Sequence, residues 1–410
     1  RPAPLPFVRL GEINPSSMTV LDYETGAVLI GTQRLPLLPN GFDSHFSSSG
    51  SYDNNYAFRL ARRGFNTVIV GVCLEYAWNP GCISETMTLL DSFGRFGLLT
   101  VLSSQYTMLS KSRELPPGFV DFITAVKDHP ALLGYYLFDD CCGDVSPGGL
   151  VYAKLKLLDP YHVTMSPLIS IGDAWRYQVD SGRWRSGSPA TDIFFNEHYY
   201  YTPTTEAVEG ALLGAVATAG LLTQFPMDFV PNWQMGMTSD QRDGFLPPMS
   251  ARDVAVQDWV AFIGGSVRGQ LWFTLSWSLN QRIIEAAADV GRAMSRLHGA
   301  ILSKSPAPHV HTEPQSKTLY TRAWHSATHR DCAIYIGVVN PNVEPLRDIA
   351  VTIVGLAKTT QLNATVLFEA GRCKLLLFSP HAPVFSLKNT LFSPHALTDH
   401  ITITFVAVFS

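Results

Sequence analysis

The sequence predicts an α/β protein: a (β/α)8 barrel with a short N-terminal β lead-in, followed by an all-β sandwich. Three observations carry this expectation. Between positions 54 and 302, amphipathic helices alternate with short apolar strands, which implies a parallel sheet with right-handed crossovers. Eight such strands can be counted, a number that suits closure rather than an open sheet. From Val310 onward the texture changes to β alone. A length of 410 residues accommodates a barrel of typically about 250 residues plus a smaller module.

Composition narrows the function classes. The chain is 46% hydrophobic, 11% aromatic and only 16% charged, which argues for a packed protein and against disorder. A net charge of −4 gives no electrostatic case for nucleic acid. No apolar run reaches the roughly 18 residues needed to span a membrane, and the longest, Ala211 to Leu222, is short and interrupted by glycine. The first residue is Arg1 and no signal peptide precedes it, so the N-terminus reads as processed or truncated. Six cysteines are an even count: Cys332 and Cys373 are candidates for a disulfide, Cys73 and Cys82 flank one loop, and Cys141-Cys142 follow an acid pair. No paired CxxC and no histidine at ligand spacing occur, so neither a metal nor a cofactor is expected. Asn363-Ala364-Thr365 is a glycosylation sequon that fits a secreted or cell-surface protein.

Taken in order, Val8 to Arg34 reads as two or three antiparallel strands, because short apolar runs alternate with turn signals such as Asn14-Pro15. Asn55 to Gly64 is expected as helix, Thr67 to Val72 as strand, Ser84 to Phe96 as helix and Leu98 to Ser103 as strand. Phe119 to Lys127 is the next helix. Leu132 to Phe138 is then a continuous apolar run, the mark of a strand covered on both faces. Gly149 to Leu158 (helix), His162 to Ile171 (strand) and Asp192 to Glu197 (strand) follow. Thr205 to Ala219 is helix, Leu221 to Gln224 the seventh strand, Ala251 to Gly264 helix, Gly269 to Trp277 the eighth strand, and Glu285 to Leu302 a long helix. The expected divisions are 1–34 for the lead-in, 35–303 for the barrel, 304–309 for a Pro-rich linker and 310–410 for the sandwich. Sandwich strands are expected at Cys332 to Val339, Asp348 to Val354, Ala364 to Glu369, Lys374 to Phe378 and Ile401 to Phe409.

Barrel chemistry sits at the carboxyl ends of the strands. Candidates there are Asp43 and His45 after the first strand, Glu75 and Tyr76 after the second, and Gln105 after the third. Asp139 and Asp140 follow the fourth, Glu197, His198 and Tyr199 the sixth, and Gln224 and Asp228 the seventh, while Trp272 and Trp277 belong to the eighth. Acids and aromatics dominate, without a Gly-rich phosphate loop or a Ser or Cys nucleophile motif. Two carboxylates converging on a sugar, one protonated and one ionised, are the working parts of glycoside hydrolysis. Each residue also has a plainer reading: a strand-end acid caps a helix or joins an ion pair, and Trp272 packs into the barrel core.

The run HPALLGYYLFDD resembles the fourth-strand motif of clan-A-type (β/α)8 glycoside hydrolases, in which the acid/base carboxylate ends a similar run. GFNTVIVG is similar to their second strand, TDIFFNEHYYY to their sixth, and GGSVRGQLWFTLSW to their eighth. VLDYETGAVLIGTQRLPLLPNGF resembles their lead-in, and VLFEAGRCKLLL their terminal β-sandwich. The resemblance implies Asp140 in the acid/base place with Asp139 before it, Glu197 as the sixth-strand acid and Tyr199 as its aromatic neighbour. Two departures stand out. Asp140 replaces the usual Glu and is one methylene shorter, and LLTQFPMDF offers Gln224 where a nucleophilic Glu is usual, although an amide cannot form a glycosyl ester.

The expected activity is therefore O-glycosyl hydrolysis of an extracellular oligo- or polysaccharide, with Asp140 as general acid/base and Glu197 as second carboxylate. The alternative is a catalytically inactive barrel with a glycan-binding or structural role in an extracellular assembly. Self-association and extracellular protein partners are left open.

Overall fold

The computed structural model describes residues 18–22, 27–31, 35–44, 54–73, 78–103, 117–137, 146–168, 191–196, 232–237, 251, 254, 259, 262–263, 268–273, 281–302, 310–313, 320–325, 333–339, 350–353, 362–370, 384–386 and 401–408. They fall into two compact units, the first formed by 1–199, 217–240 and 267–280, the second by 200–216, 241–266 and 281–410.

The first unit is built on eight parallel strands that close into a barrel. In chain order these are β4 (Asn40–Ser44), β5 (Thr67–Gly71), β6 (Leu99–Ser103), β7 (Leu132–Tyr136), β8 (Val163–Leu168), β9 (Ile193–Asn196), β10 (Asn232–Met237) and β11 (Gln270–Phe273). Each pairs with its successor, and β11 pairs back onto β4 through Gln270↔Asn40 to Phe273↔Asp43. The first strand is β4, which contains Asp43 rather than ending before it. Of the seven strands for which a range was expected, six match in place. The seventh does not: β10 occupies Asn232–Met237, downstream of the expected Leu221 to Gln224, a stretch that lies outside the described residues.

Four described helices cover the outside of the barrel: α1 (Asn54–Arg63), α2 (Pro80–Arg95), α3 (Pro117–Val126) and α4 (Ser146–Leu158). Their buried residues recur at helical spacing, as in Thr86, Leu89, Leu90 and Phe93 of α2. Helix α2 begins four residues before its apolar pattern does. The Asn79 side chain accepts from the Cys82 N–H at 2.9 Å, and Pro80 occupies the first turn, where its missing N–H costs nothing.

An antiparallel sheet of β1 (Thr19–Asp22), β2 (Ala27–Ile30) and β3 (Leu35–Leu37) seals the amino end of the barrel. Leu21, Val28, Ile30 and Leu37 share one buried cluster with the barrel residues Ile69, Leu99, Val101, Val163, Met165, Ile193 and Leu271. Thr19 pins this sheet. Its hydroxyl donates to the Leu133 carbonyl at 2.8 Å and accepts from the Val163 N–H at 3.0 Å, while its own N–H donates to the Tyr161 carbonyl at 2.7 Å.

Beside that seam lies a buried polar network. The Asp159 carboxylate accepts from the Tyr135 hydroxyl at 2.6 Å, from His162 Nδ1 at 2.8 Å and from the Tyr161 N–H at 3.1 Å. Burial acts to raise the Asp159 pKa, but the His162 hydrogen bond and charge, with the Tyr135 and Tyr161 donors, outweigh it and hold the carboxyl below its ordinary value.

In the second unit, α5 (Gln281–Ile301) packs with a β module of two sheets. The three-stranded sheet has the order β12 (Val310–Glu313), β15 (Ala350–Ile353), β17 (Val384–Ser386), and is antiparallel throughout. The four-stranded sheet has the order β13 (Tyr320–His325), β14 (Ala333–Val339), β18 (Ile401–Val408), β16 (Leu362–Ala370). Here β18 runs parallel to both neighbours, while β13 and β14 are antiparallel. The expected strand at Lys374 to Phe378 lies outside the described residues. Residues 251, 254, 259, 262 and 263 are helical, and Phe262 stacks on Trp324 of β13 with ring centroids 5.7 Å apart.

Two expected outcomes follow from this packing. A Cβ at Gly134 would stand 2.1 Å from the Val163 carbonyl oxygen, backbone that cannot swing aside. Gly134→Ala is expected to lower unfolding free energy by about 1–3 kcal/mol in urea titration. Asp159 has a folded pKa below its unfolded value near 3.9, so its contribution is complete above about pH 4 and fades as pH falls through the folded value. Asp159→Asn should cost about 3 kcal/mol at neutral pH and flatten the acid limb of a stability–pH curve. An unchanged acid limb would assign that limb to other carboxylates.

Candidate functional site

The strands set the frame for chemistry at the carboxyl rim, and the rim strands are held from below. Strand β7 is anchored by His129, whose Nδ1 accepts from the Ala131 N–H at 3.1 Å. That bond fixes the tautomer, so Nε2 carries the proton and donates to Asp91 at 3.2 Å. The conspicuous HP at the head of the central motif thus serves the amino end of the strand.

Strand β9 is anchored by Asp192, the residue before it. The Asp192 carboxylate accepts from the Thr164 N–H at 2.8 Å, the Thr164 hydroxyl at 3.2 Å and the Tyr152 hydroxyl at 2.8 Å, and pairs with Lys156 Nζ at 2.6 Å. With Asp192 only 6% exposed, this is a satisfied buried charge, the form in which such charges persist. It ties α4, β8 and β9 together at one point.

At the opposite end, β7 stops at Tyr136, three residues before Asp139 and four before Asp140, and β9 stops at Asn196, one residue before Glu197. Asp139, Asp140, Glu197, His198 and Tyr199 themselves lie outside the described residues, as do His45, Glu75, Tyr76, Gln105, Gln224, Asp228 and Trp277. Asp43 is inside β4, where its backbone is in register with Ile69 of β5 and Phe273 of β11.

Trp272 is described, and it is fully buried in β11. Its neighbour Leu271 belongs to the cluster inside the barrel, so strand alternation turns Trp272 to the outer, helix-facing side. Its indole N–H meets no acceptor. Core packing, the plainer of the two readings, is what this geometry favours.

The position of β10 changes the reading of the seventh strand. Gln224 and Asp228 precede Asn232 in the chain and so come before this strand, not after its carboxyl end. The first acid beyond Met237 is Asp240, three residues on. Sequence reasoning missed it although Trp233, Met235 and Met237 alternate with Asn232, Gln234 and Gly236, because the segment has no β-branched residue and the shorter apolar run at Leu221 to Gln224 reads as the strand instead.

The second rim loop is closed covalently. Cys73 follows β5, adopts a left-handed backbone (φ 51°) and is disulfide-bonded to Cys82 in the first turn of α2, with Cα atoms 5.7 Å apart. Trp78, between them, is buried and meets Phe119 of α3 edge to face at 5.3 Å. A Cβ at Gly118 would lie 2.5 Å from the Trp78 carbonyl oxygen, so glycine permits this approach of α3 to the loop. Cys332, Cys373, Cys141 and Cys142 lie outside the described residues. Among the described residues no cluster of metal-ligating side chains occurs, and no helix is long and apolar enough to cross a membrane.

No family model matches the sequence. No curated protein matches it either. Among solved structures, the chain is similar to the endo-1,4-β-mannanase from Eisenia fetida, at 11% identity over 66% of this chain and 95% of that one, with a TM-score of 0.45. The β-mannanase from the blue mussel Mytilus edulis gives 10% identity, 67% and 96% coverage and a TM-score of 0.44. The α-amylase from Geobacillus thermoleovorans gives 9%, 79% and 86%, and 0.45. Likeness at this level bears on nothing finer than the barrel, which the strand pairing establishes by itself.

The disulfide yields an expected outcome. Closing a loop with a sequence separation of nine should stabilise by about 2–3 kcal/mol on chain-entropy grounds. Cys73→Ser/Cys82→Ser should show that loss in urea unfolding, and non-reducing peptide mapping of the native chain should recover the two cysteines as one cross-linked pair.

Proposed function

We propose that this chain is a glycoside-hydrolase-like enzyme acting on an extracellular oligo- or polysaccharide. Asp140 serves as general acid and Glu197 as second carboxylate. The observation that carries the reading is the closed parallel barrel whose fourth and sixth strands stop just short of acids in the sequence. A chain spans at most about 3.6 Å per residue, so Asp140 lies within roughly 14 Å of Tyr136 and Glu197 within about 4 Å of Asn196.

One strand, β8, separates β7 from β9. Two inter-strand steps of about 4.8 Å give backbones roughly 10 Å apart. With Asp140 as acid and Glu197 as base on an attacking water, the proposed reaction inverts the anomeric centre. Asp140 protonates the glycosidic oxygen as the C–O bond breaks, and Glu197 takes a proton from the attacking water. Asp139 neighbours the acid, and Asp240 stands in the seventh-strand position that Gln224 no longer holds. The two C-terminal sheets, in this reading, face one another as a β-sandwich.

The inactive, glycan-binding alternative draws its support from Asp140 standing where a longer Glu is usual. One experiment separates the two. A panel of aryl glycosides and oligosaccharides is incubated with the native protein, Asp140→Asn and Glu197→Gln. The proposal expects turnover that falls about 10²–10⁴-fold in each variant, with inverted product anomers. Turnover equal in all three would remove these residues from the mechanism. Glycan binding without turnover in any of them would establish the binding module instead.

A further inference from the structure

Away from the rim, α1 presents a surface that neither the fold nor the proposed chemistry explains. Its sequence, Asn-Asn-Tyr-Ala-Phe-Arg-Leu-Ala-Arg-Arg, contains three arginines and no acid, in a protein whose net charge is −4. The inner side of the helix is Tyr56, Ala57 and Leu60, all buried. Phe58 is 46% exposed, one of few large apolar side chains so placed among the described residues.

Helix α2 lies alongside. The Ser92 hydroxyl donates to Asn54 Oδ1 at 2.8 Å, Tyr56 meets Phe93 at 6.2 Å, and Phe58 meets Phe96 edge to face at 5.8 Å. Arg62 follows Phe58 by one helical turn on the same face, and Arg95 immediately precedes Phe96. Both arginines are exposed. The Arg63 guanidinium donates to the Arg59 carbonyl at 3.0 Å, which holds that side chain along the end of the helix.

Arginines in a last turn also favour the helix dipole, which accounts for positive charge at Arg62, Arg63 and Arg95. It does not account for the exposed ring of Phe58, packed edge to face on Phe96 one turn from Arg62. A guanidinium pairs bidentately with sulfate or carboxylate, and an aromatic ring packs against the C–H face of a sugar.

We propose that the Phe58–Phe96 pair, with Arg62 and Arg95 beside it, is a binding surface for an anionic polysaccharide, separate from the carboxyl rim. The choice of a sugar polymer over an acidic polypeptide rests on the glycan reading above. The anionic character rests on the arginines alone.

The test is affinity for a sulfated polysaccharide, measured by calorimetry on the full chain at several salt concentrations. The polymer carrying the same backbone without sulfate, poly-glutamate and inorganic polyphosphate serve as comparisons. Arg62→Gln/Arg95→Gln is expected to weaken sulfated-polymer binding at least about fivefold and to flatten its salt dependence. Phe58→Ser is expected to weaken the sulfated polysaccharide and leave polyphosphate unchanged, a split that loss of folding would not produce. Because no hydrolysis is read, Asp140→Asn should bind as the native protein does, and failure of the glycosidase reading leaves this result intact. Absence of binding, binding unaltered in the double arginine variant, or poly-glutamate bound as tightly as the polysaccharide would each overturn the proposal.

Discussion

A parallel sheet cannot turn back on itself through short hairpins, and its open edges expose unpaired backbone groups. Closure, where β11 meets β4, removes both edges at once. The Gln270 N–H donates to the Pro39 carbonyl at 2.8 Å just where that pairing starts. On the other side of β4, Asn66 supplies a second lock: its side chain accepts from the Asn40 N–H at 2.8 Å and donates to the Leu38 carbonyl at 2.9 Å. The glycine at position 41 belongs to the same constraint, since a Cβ there would stand 1.6 Å from the Thr67 carbonyl oxygen. Once the ring is closed, every βα loop must emerge at one rim and every αβ loop at the other. The separation of a sealed, polar-networked amino end from the rim where the βα loops emerge is a product of that geometry.

The amino end is heavily invested. His129, Asp159 with His162, and Asp192 with Lys156 are all charged or titratable groups buried or half-buried near strand starts, and each is matched by partners. Unpaired, any of them would oppose folding; paired, they fix where strands β7, β8 and β9 begin. A side chain at a strand's far end inherits its position from such anchors. The carboxyl rim is thus positioned by residues at the opposite end of the strands.

Much of this was legible in the sequence where pattern and burial agree. Thr67 to Val72 and Leu98 to Ser103 are apolar runs of strand length, and they fold as β5 and β6. The anchors were not legible, because His129, Asp159 and Asp192 are single polar residues that each take a partner distant in sequence, Asp91, Tyr135 and Thr164, which lie 38, 24 and 28 positions away. Strand β10 was hidden for a different reason. Asn232–Met237 alternates apolar with polar or glycine residues but has no β-branched run, so its local signal is short and weak, and pairing with β9 and β11 on both sides holds it extended. The parallel placement of β18 between β14 and β16 was equally invisible, since strand direction leaves no mark on composition. Of the candidate site, the chain order of acids relative to strand ends could be read, and for the seventh strand it was read from the wrong segment.

The Thr19 seam has a consequence in time. Its hydroxyl reaches Leu133, 114 residues downstream, and serves Val163, 144 residues downstream. The lead-in sheet is made before the barrel strands it covers, and its partners arrive one after another, from Ile69 of β5 to Val163 of β8. At about 5–20 residues per second, the stretch from Thr19 to Val163 is an interval of several seconds to half a minute. During it, Leu21, Val28 and Ile30 must remain in a small sheet with one apolar face uncovered. The barrel is therefore sealed by a segment made before any of its strands, and the nascent chain has to carry that face through the interval without losing it to aggregation.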